Sequence, residues 1–182
     1  MSNFLILHGL DGSGPGHWQP WLAERLRDAG ADVTFPDLPQ PSDPHPADWE
    51  AAAEAELADD AEPVVICHSL ACLLWLRLAA RSDVRRADRV LLVAPPCPDD
   101  IPAVSRFLDH SATADDVKLA AGETLLVCSD NDPYCPPGAI TTFAEPLALE
   151  SRLIPGAGHL NTDAGYGPWP EVEEWALRKR WP

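Results

Sequence analysis

Lysine is nearly missing from this chain of 182 residues, standing only at Lys118 and Lys179, and the other basic residues are arginine. Its scarcity points to overall composition or solubility rather than to a site. Basic charge is also short: 13 Lys and Arg face 29 Asp and Glu, a formal net charge of −16. A surface of that sign is not built to neutralise phosphates, so neither nucleic acid nor an anionic membrane is an expected partner. No run reaches the roughly eighteen apolar residues of a membrane span, and residues 4–7 turn polar too quickly for a signal peptide. A soluble, cytoplasmic protein is expected. Close CxxC spacing is absent as well. The five cysteines, Cys67, Cys72, Cys97, Cys128 and Cys135, sit mostly in apolar runs and read as buried thiols of a reducing compartment. Without a clustered His/Asp/Cys ligand set, no metal or other cofactor is expected. The length leaves no room for two full-sized domains, so one domain over residues 1–182 is expected.

What is present is a regular alternation. Short apolar runs at 4–7, 33–35, 64–67, 90–94, 125–128 and 149–154 read as strands. Most are continuously hydrophobic, as in strands covered on both faces, while the last alternates enough to lie nearer an edge. Between them, 17–29 places Trp18, Trp21, Leu22 and Leu26 at helical spacing, and 47–60 and 69–81 are rich in good helix formers. Further helices are expected at 102–109, 137–145 and 170–180. The order is βαβα, hence α/β: a mostly parallel sheet of about six strands with helices on both faces. Residues 36–46, with five prolines, read as a surface loop, and 95–101 and 110–122 as turn-rich stretches too short for a large lid.

The third run continues as Cys67-His68-Ser69-Leu70-Ala71 into a helix, with one serine at the junction. On a sharp strand-to-helix turn, a serine lifts its hydroxyl above the sheet, and the Leu70 N–H behind it points to where an acyl oxyanion would form. A plain serine N-cap is the alternative, because Cys67 and Ala71 replace the glycines of G-x-S-x-G. A nucleophilic serine needs a base and the base an orienting acid. Both follow at later strand ends: Ser129-Asp130-Asn131-Asp132-Pro133 after the fifth strand, and Gly156-Ala157-Gly158-His159 after the sixth. Ser, Asp, His is the chain order of an α/β-hydrolase triad at the carboxyl ends of parallel strands. Asp132 is preferred to Asp130 because the prolines beyond it would stiffen its loop; Asp130 would then hold the turn.

A second oxyanion donor is expected from His8-Gly9-Leu10-Asp11, with Gly9 allowing close approach and the N–H assigned to Leu10, Asp11 being the alternative. His8 reads as a hydrogen-bonded support. Gly12, Gly14 and Gly16 do not make a dinucleotide fingerprint, since position 17 is His17 and Pro15 removes a donor.

With His8-Gly9, Gly12-Ser13, His17-Trp18, the His68-Ser69-Leu70 elbow, Asn131-Asp132-Pro133-Tyr134-Cys135, Gly158-His159-Leu160-Asn161 and Gly165-Tyr166-Gly167-Pro168-Trp169-Pro170-Glu171 in place, the chain resembles a known family over nearly its whole length. That family is the small serine hydrolases of the retinoblastoma-binding protein nine and YdeN-like type, a minimal branch of the α/β-hydrolases. The resemblance implies a single-domain hydrolase without a large lid and carries nucleophile, acid and base onto Ser69, Asp132 and His159. Some members are discussed chiefly as protein-binding factors. The L-x-C-x-E motif is absent here, so that partner does not carry over, and a protein partner stays unknown.

The expected activity is cleavage of small ester or activated amide acyl substrates through an acyl-enzyme. His17, Trp18 and Trp169 would border a shallow site for a small-molecule acyl substrate. The rival expectation is a protein-binding factor on a hydrolase scaffold with weak or no turnover.

Overall fold

Apolar side chains alternate along the central strands between two separate clusters, and this places helices on both faces. The computed structural model describes residues 3–57, 62–97, 101–108 and 112–182. Its six strands are β1 (Asn3–Leu7), β2 (Asp32–Thr34), β3 (Val64–His68), β4 (Ala87–Val93), β5 (Ala121–Ser129) and β6 (Glu150–Ile154). They form one sheet in the order β2-β1-β3-β4-β5-β6, every neighbouring pair parallel. All six expected strands are present, and β6 is indeed an edge strand.

The helices are α1 (Trp18–Asp28), α2 (Pro46–Glu56), α3 (Leu70–Ala79), α4 (Pro102–Leu108), α5 (Ala114–Ala120) and α6 (Pro170–Arg178). Leu5, Leu7, Val65, Cys67, Val90, Leu92 and Leu126 turn to the face covered by α2, α3, α4 and α5. Phe4, Ile6, Val64, Ile66, Leu91, Val93 and Val127 turn to the face covered by α1 and α6. The two-residue period of each strand thus sorts its side chains between two apolar layers. Helix α3 runs through the thick of the first layer; of its residues only Arg77 is not buried. Removing one of its leucines to alanine costs about 2–5 kcal/mol by loss of transfer energy and cavity formation.

Three expectations need correction. Residues 110–122 are not all turn, because 114–120 is α5, started by a capping box in which Thr113 and Asp116 bond each other's backbone N–H. Within 137–145 the regular part is a π-helical turn, Ile140–Ala144, rather than an α-helix. Cys67, Cys72 and Cys128 are buried thiols as expected, but Cys97 and Cys135 are joined in a disulfide that ties the loop after β4 to the loop after β5. Spacing could not show this, since 38 residues separate the two. The expected helix end at 58–60 and Asp109 lie outside the described residues. Among the described residues no helix is long and apolar enough to cross a membrane.

Candidate active site

The carboxyl ends of β1, β3, β5 and β6 deliver their loops to one cavity of about 350 Å³. Ser69 stands between β3 and α3 at φ 54° and ψ −122°, a strained backbone for a residue with a Cβ. Its own N–H continues the ladder, donating to the Val93 carbonyl at 2.8 Å. The hydroxyl makes no capping bond to α3. It lies instead 2.8 Å from His159 Nε2, which decides against the N-cap alternative. The alanine at the next elbow position, Ala71, is fully buried and accommodated.

His159 Nδ1 in turn meets both oxygens of Asp132, at 3.0 and 2.9 Å. A carboxylate only accepts, so Nδ1 carries the proton and Nε2 presents a lone pair to the Ser69 hydroxyl. Asp132 also accepts the Tyr134 N–H at 2.9 Å, an Asx turn that fixes its rotamer. Asp130 is elsewhere occupied, its Oδ1 accepting the Gly156 N–H at 2.7 Å. Two residues that sequence reasoning passed over complete this brace. Ser129 Oγ accepts the Ala157 N–H at 2.9 Å, and Asn131 Oδ1 accepts the Gly158 N–H at 2.7 Å. The loop bearing the acid therefore grips the backbone of the loop bearing the histidine. The only sequence signal was a run of short polar residues beside Asp132.

The first loop comes close to the elbow because Gly9 has no side chain. A Cβ there would sit 2.8 Å from Ser69 Cβ and 3.2 Å from the His68 carbonyl. Asp11 spends its N–H on the Pro41 carbonyl at 2.8 Å, which removes it as the alternative oxyanion donor. The Leu10 N–H has no acceptor among the described residues, and Leu10 and Leu70 both line the cavity. Leu70 opens α3, where the first N–H groups lack intrahelical acceptors. His8 is a support, as expected: its Nδ1–H donates to the Gly9 carbonyl at 2.8 Å and its Nε2 accepts the Leu38 N–H at 2.9 Å.

Of the three residues expected to border the site, only His17 lines it. Trp18 and Trp169 are core residues, packed edge to face at 5.4 Å beneath the loops on the α1/α6 side. As the first helical residue, Trp18 turns into the sheet and donates its indole N–H to the Leu160 carbonyl at 2.9 Å. Its adjacency to His17 in the chain is not adjacency in the cavity.

The model of one family, described as serine hydrolase, matches residues 4–177. The chain belongs to the serine hydrolase family. Among its relatives, the hydrolase-named YdeN of Bacillus subtilis (strain 168) is 22% identical over 92% of this chain and 90% of that one. The crystal structure of the ydeN gene product superposes with a TM-score of 0.85 at 22% identity, covering 96% of each chain. A YdeN-like hydrolase from Pectobacterium atrosepticum gives 0.78 at 24% identity, over 96% of this chain and 89% of its own. An esterase domain from Rhodothermus marinus gives 0.62 at 17% identity, over 90% and 80%. These likenesses show the α/β-hydrolase fold.

Three imidazoles line up through the family member's site. His17 lies 4.8 Å from His68, and His68 lies 5.1 Å from His159, ring centre to ring centre. The His68 Nε2–H donates to the His159 carbonyl at 3.1 Å. Burial holds His68 well below the ordinary histidine range, reinforced by the neighbouring imidazoles, and burial lowers His8 too. Burial, then the charge His159 can carry, pushes His17 down to about 4. Between pH 6.5 and 4 the unfolded chain therefore binds a proton at His17 that the folded chain refuses. Stability is fully present above pH 6.5 and declines as pH falls toward 4, by about 3 kcal/mol from His17 alone. Urea midpoints at pH 7.5 and 4.5 are expected to show the drop, and His17→Asn to lessen it; a midpoint that ignores pH would contradict the assignment.

Proposed function

We propose that the protein is a serine hydrolase of small ester or activated amide substrates, with Ser69 as nucleophile, His159 as general base and acid, and Asp132 as the acid that orients His159. The observation carrying this reading is the unbroken hydrogen-bonded path from Asp132 through His159 to a strained serine at the mouth of a cavity. His159 Nε2 takes the Ser69 proton as Oγ attacks the carbonyl carbon. The oxyanion is held by the Leu10 and Leu70 N–H groups. His159 then passes its proton to the leaving oxygen or nitrogen, and water repeats the sequence on the acyl-enzyme. Ser69 supplies the nucleophile itself, so this route requires no metal or organic cofactor. Similarity to a protein described as an esterase domain supports esters as the first class to test.

The neighbouring thiols do not compete. Burial pushes Cys67 and Cys72 far above the usual thiol range, and Cys128 up to about 11, so each stays protonated. The test is a fluorophosphonate probe on purified protein, with the modified peptide mapped by mass spectrometry. Stoichiometric label on Ser69 is expected. Folded protein that takes none would return the chain to the reading of a binding factor on a hydrolase scaffold.

Gly9 offers a separate check on the oxyanion assignment. Gly9→Ala is expected to lower kcat/KM for p-nitrophenyl butyrate about 10²–10³-fold, the size of losing one oxyanion donor, because its methyl would push the Leu10 segment off the elbow. Retained activity would mean that the donor lies elsewhere.

A further inference from the structure

The cavity has two unlike ends, and they lie over opposite faces of the sheet. Toward α4 it is walled by Pro96, Ile101 and Val104, with Val104 buried in the α2–α5 layer and Ile101 packed against it. Toward α1 and α6 it is walled by His17, Asn161, Thr162 and Asp163. His159 comes from the loop on this second side, and Leu160, next to it, is buried in the α1/α6 layer. Since His159 must hand a proton to the leaving atom, the leaving group belongs on the polar side and the acyl group against the apolar wall.

His17 is the informative residue of the polar side. It is 6% exposed, yet half of its hydrogen-bonding capacity is unspent. Nδ1 caps α1 by accepting the Gln19 N–H at 3.2 Å, so the neutral ring carries its proton on Nε2. That Nε2–H has no protein acceptor among the described residues. The low proton affinity of His17 keeps the ring neutral, a donor without a charge. His17 is also the residue shared with a second depression of about 520 Å³, lined in part by Pro20, Trp21, Phe35 and Pro168, so it stands between the two depressions. Among the described residues no Lys or Arg lines either depression, whereas Asp11, Asp163 and Glu24 do. An anionic leaving group finds no counter-charge there.

Building on the hydrolase reading above, we propose that His17 is a substrate-contacting specificity residue, its Nε2–H donating to an oxygen of a polar, non-anionic leaving group such as a polyol, while the acyl group is short and apolar.

The test compares glycerol monobutyrate with n-propyl butyrate, which share the acyl group and leaving-chain length and differ in the two free hydroxyls. Wild type is expected to favour the glycerol ester at least about tenfold in kcat/KM. His17→Asn keeps a side-chain oxygen to cap α1 but is too short to reach the leaving group. It is expected to lose at least about tenfold more kcat/KM on the glycerol ester than on the propyl ester. If His17 were only a helix cap, both substrates would lose equally. Equal loss, or a wild type without the preference, overturns the proposal. So does failure to turn over either ester while Ser69 still takes the fluorophosphonate label; absence of the label itself would instead bring down the hydrolase reading on which this rests.

Discussion

Ser69→Ala is expected to lower kcat for p-nitrophenyl butyrate by about 10⁶-fold, as when a hydroxyl that acts only together with its base is removed. The double change Ser69→Ala with His159→Ala is expected to cost hardly more, because either deletion already stops the proton transfer that makes the oxygen nucleophilic. Additive losses would mean that the two side chains act separately. The fold should survive: the hydroxyl makes no cap bond to α3, and the backbone N–H that anchors the elbow to Val93 belongs to either residue. Thermal unfolding of Ser69→Ala should therefore match wild type to within about 0.5 kcal/mol. Activity and stability separate cleanly here, and a residue serving as a helix cap would not show that separation.

The strands could be read from the chain because each is a short apolar run in a sheet covered on both faces, where burial leaves little choice of residue. The three residues proposed as the triad could be picked out because the end of each strand is a fixed place, so Ser69, Asp132 and His159 needed only the right order to be expected together, and the structure brings them into hydrogen-bond contact. Hydrogen bonds between loops have no such period. Ser129 and Asn131 look like ordinary turn residues until the backbone of 156–158 is laid against them. Trp18 misled for a related reason. It follows His17 directly, but a helix starts between them, so the imidazole stays in the cavity while the indole turns into the core. Helix α5 was hidden by composition, since its polar start resembles a turn and its capping box uses aspartate where glutamate is the usual signal. The Cys97–Cys135 bridge is a tertiary fact, invisible at a separation of 38 residues.

Asp132→Asn should lower kcat/KM by about 10⁴-fold, whereas Asp130→Asn, two residues away, should change it by less than about threefold. Asn is nearly the shape of Asp, and its Oδ1 could still accept the Tyr134 N–H, so the Asx turn and the loop should hold. What changes is the partner of His159. A carboxylate presents only acceptors to Nδ1 and so keeps the proton there, leaving the Nε2 lone pair aimed at Ser69 Oγ. An amide can turn its NH₂ toward Nδ1 instead, which favours the tautomer protonated at Nε2; that tautomer has no lone pair to take the serine proton. Asp130 has a different task, accepting the Gly156 N–H through Oδ1, and an asparagine oxygen performs it equally well. Michaelis–Menten measurements on both variants, with unfolding midpoints as the control, separate the two roles. Similar losses from both would show that the acidic loop works by holding the 156–158 backbone rather than by fixing the tautomer of His159.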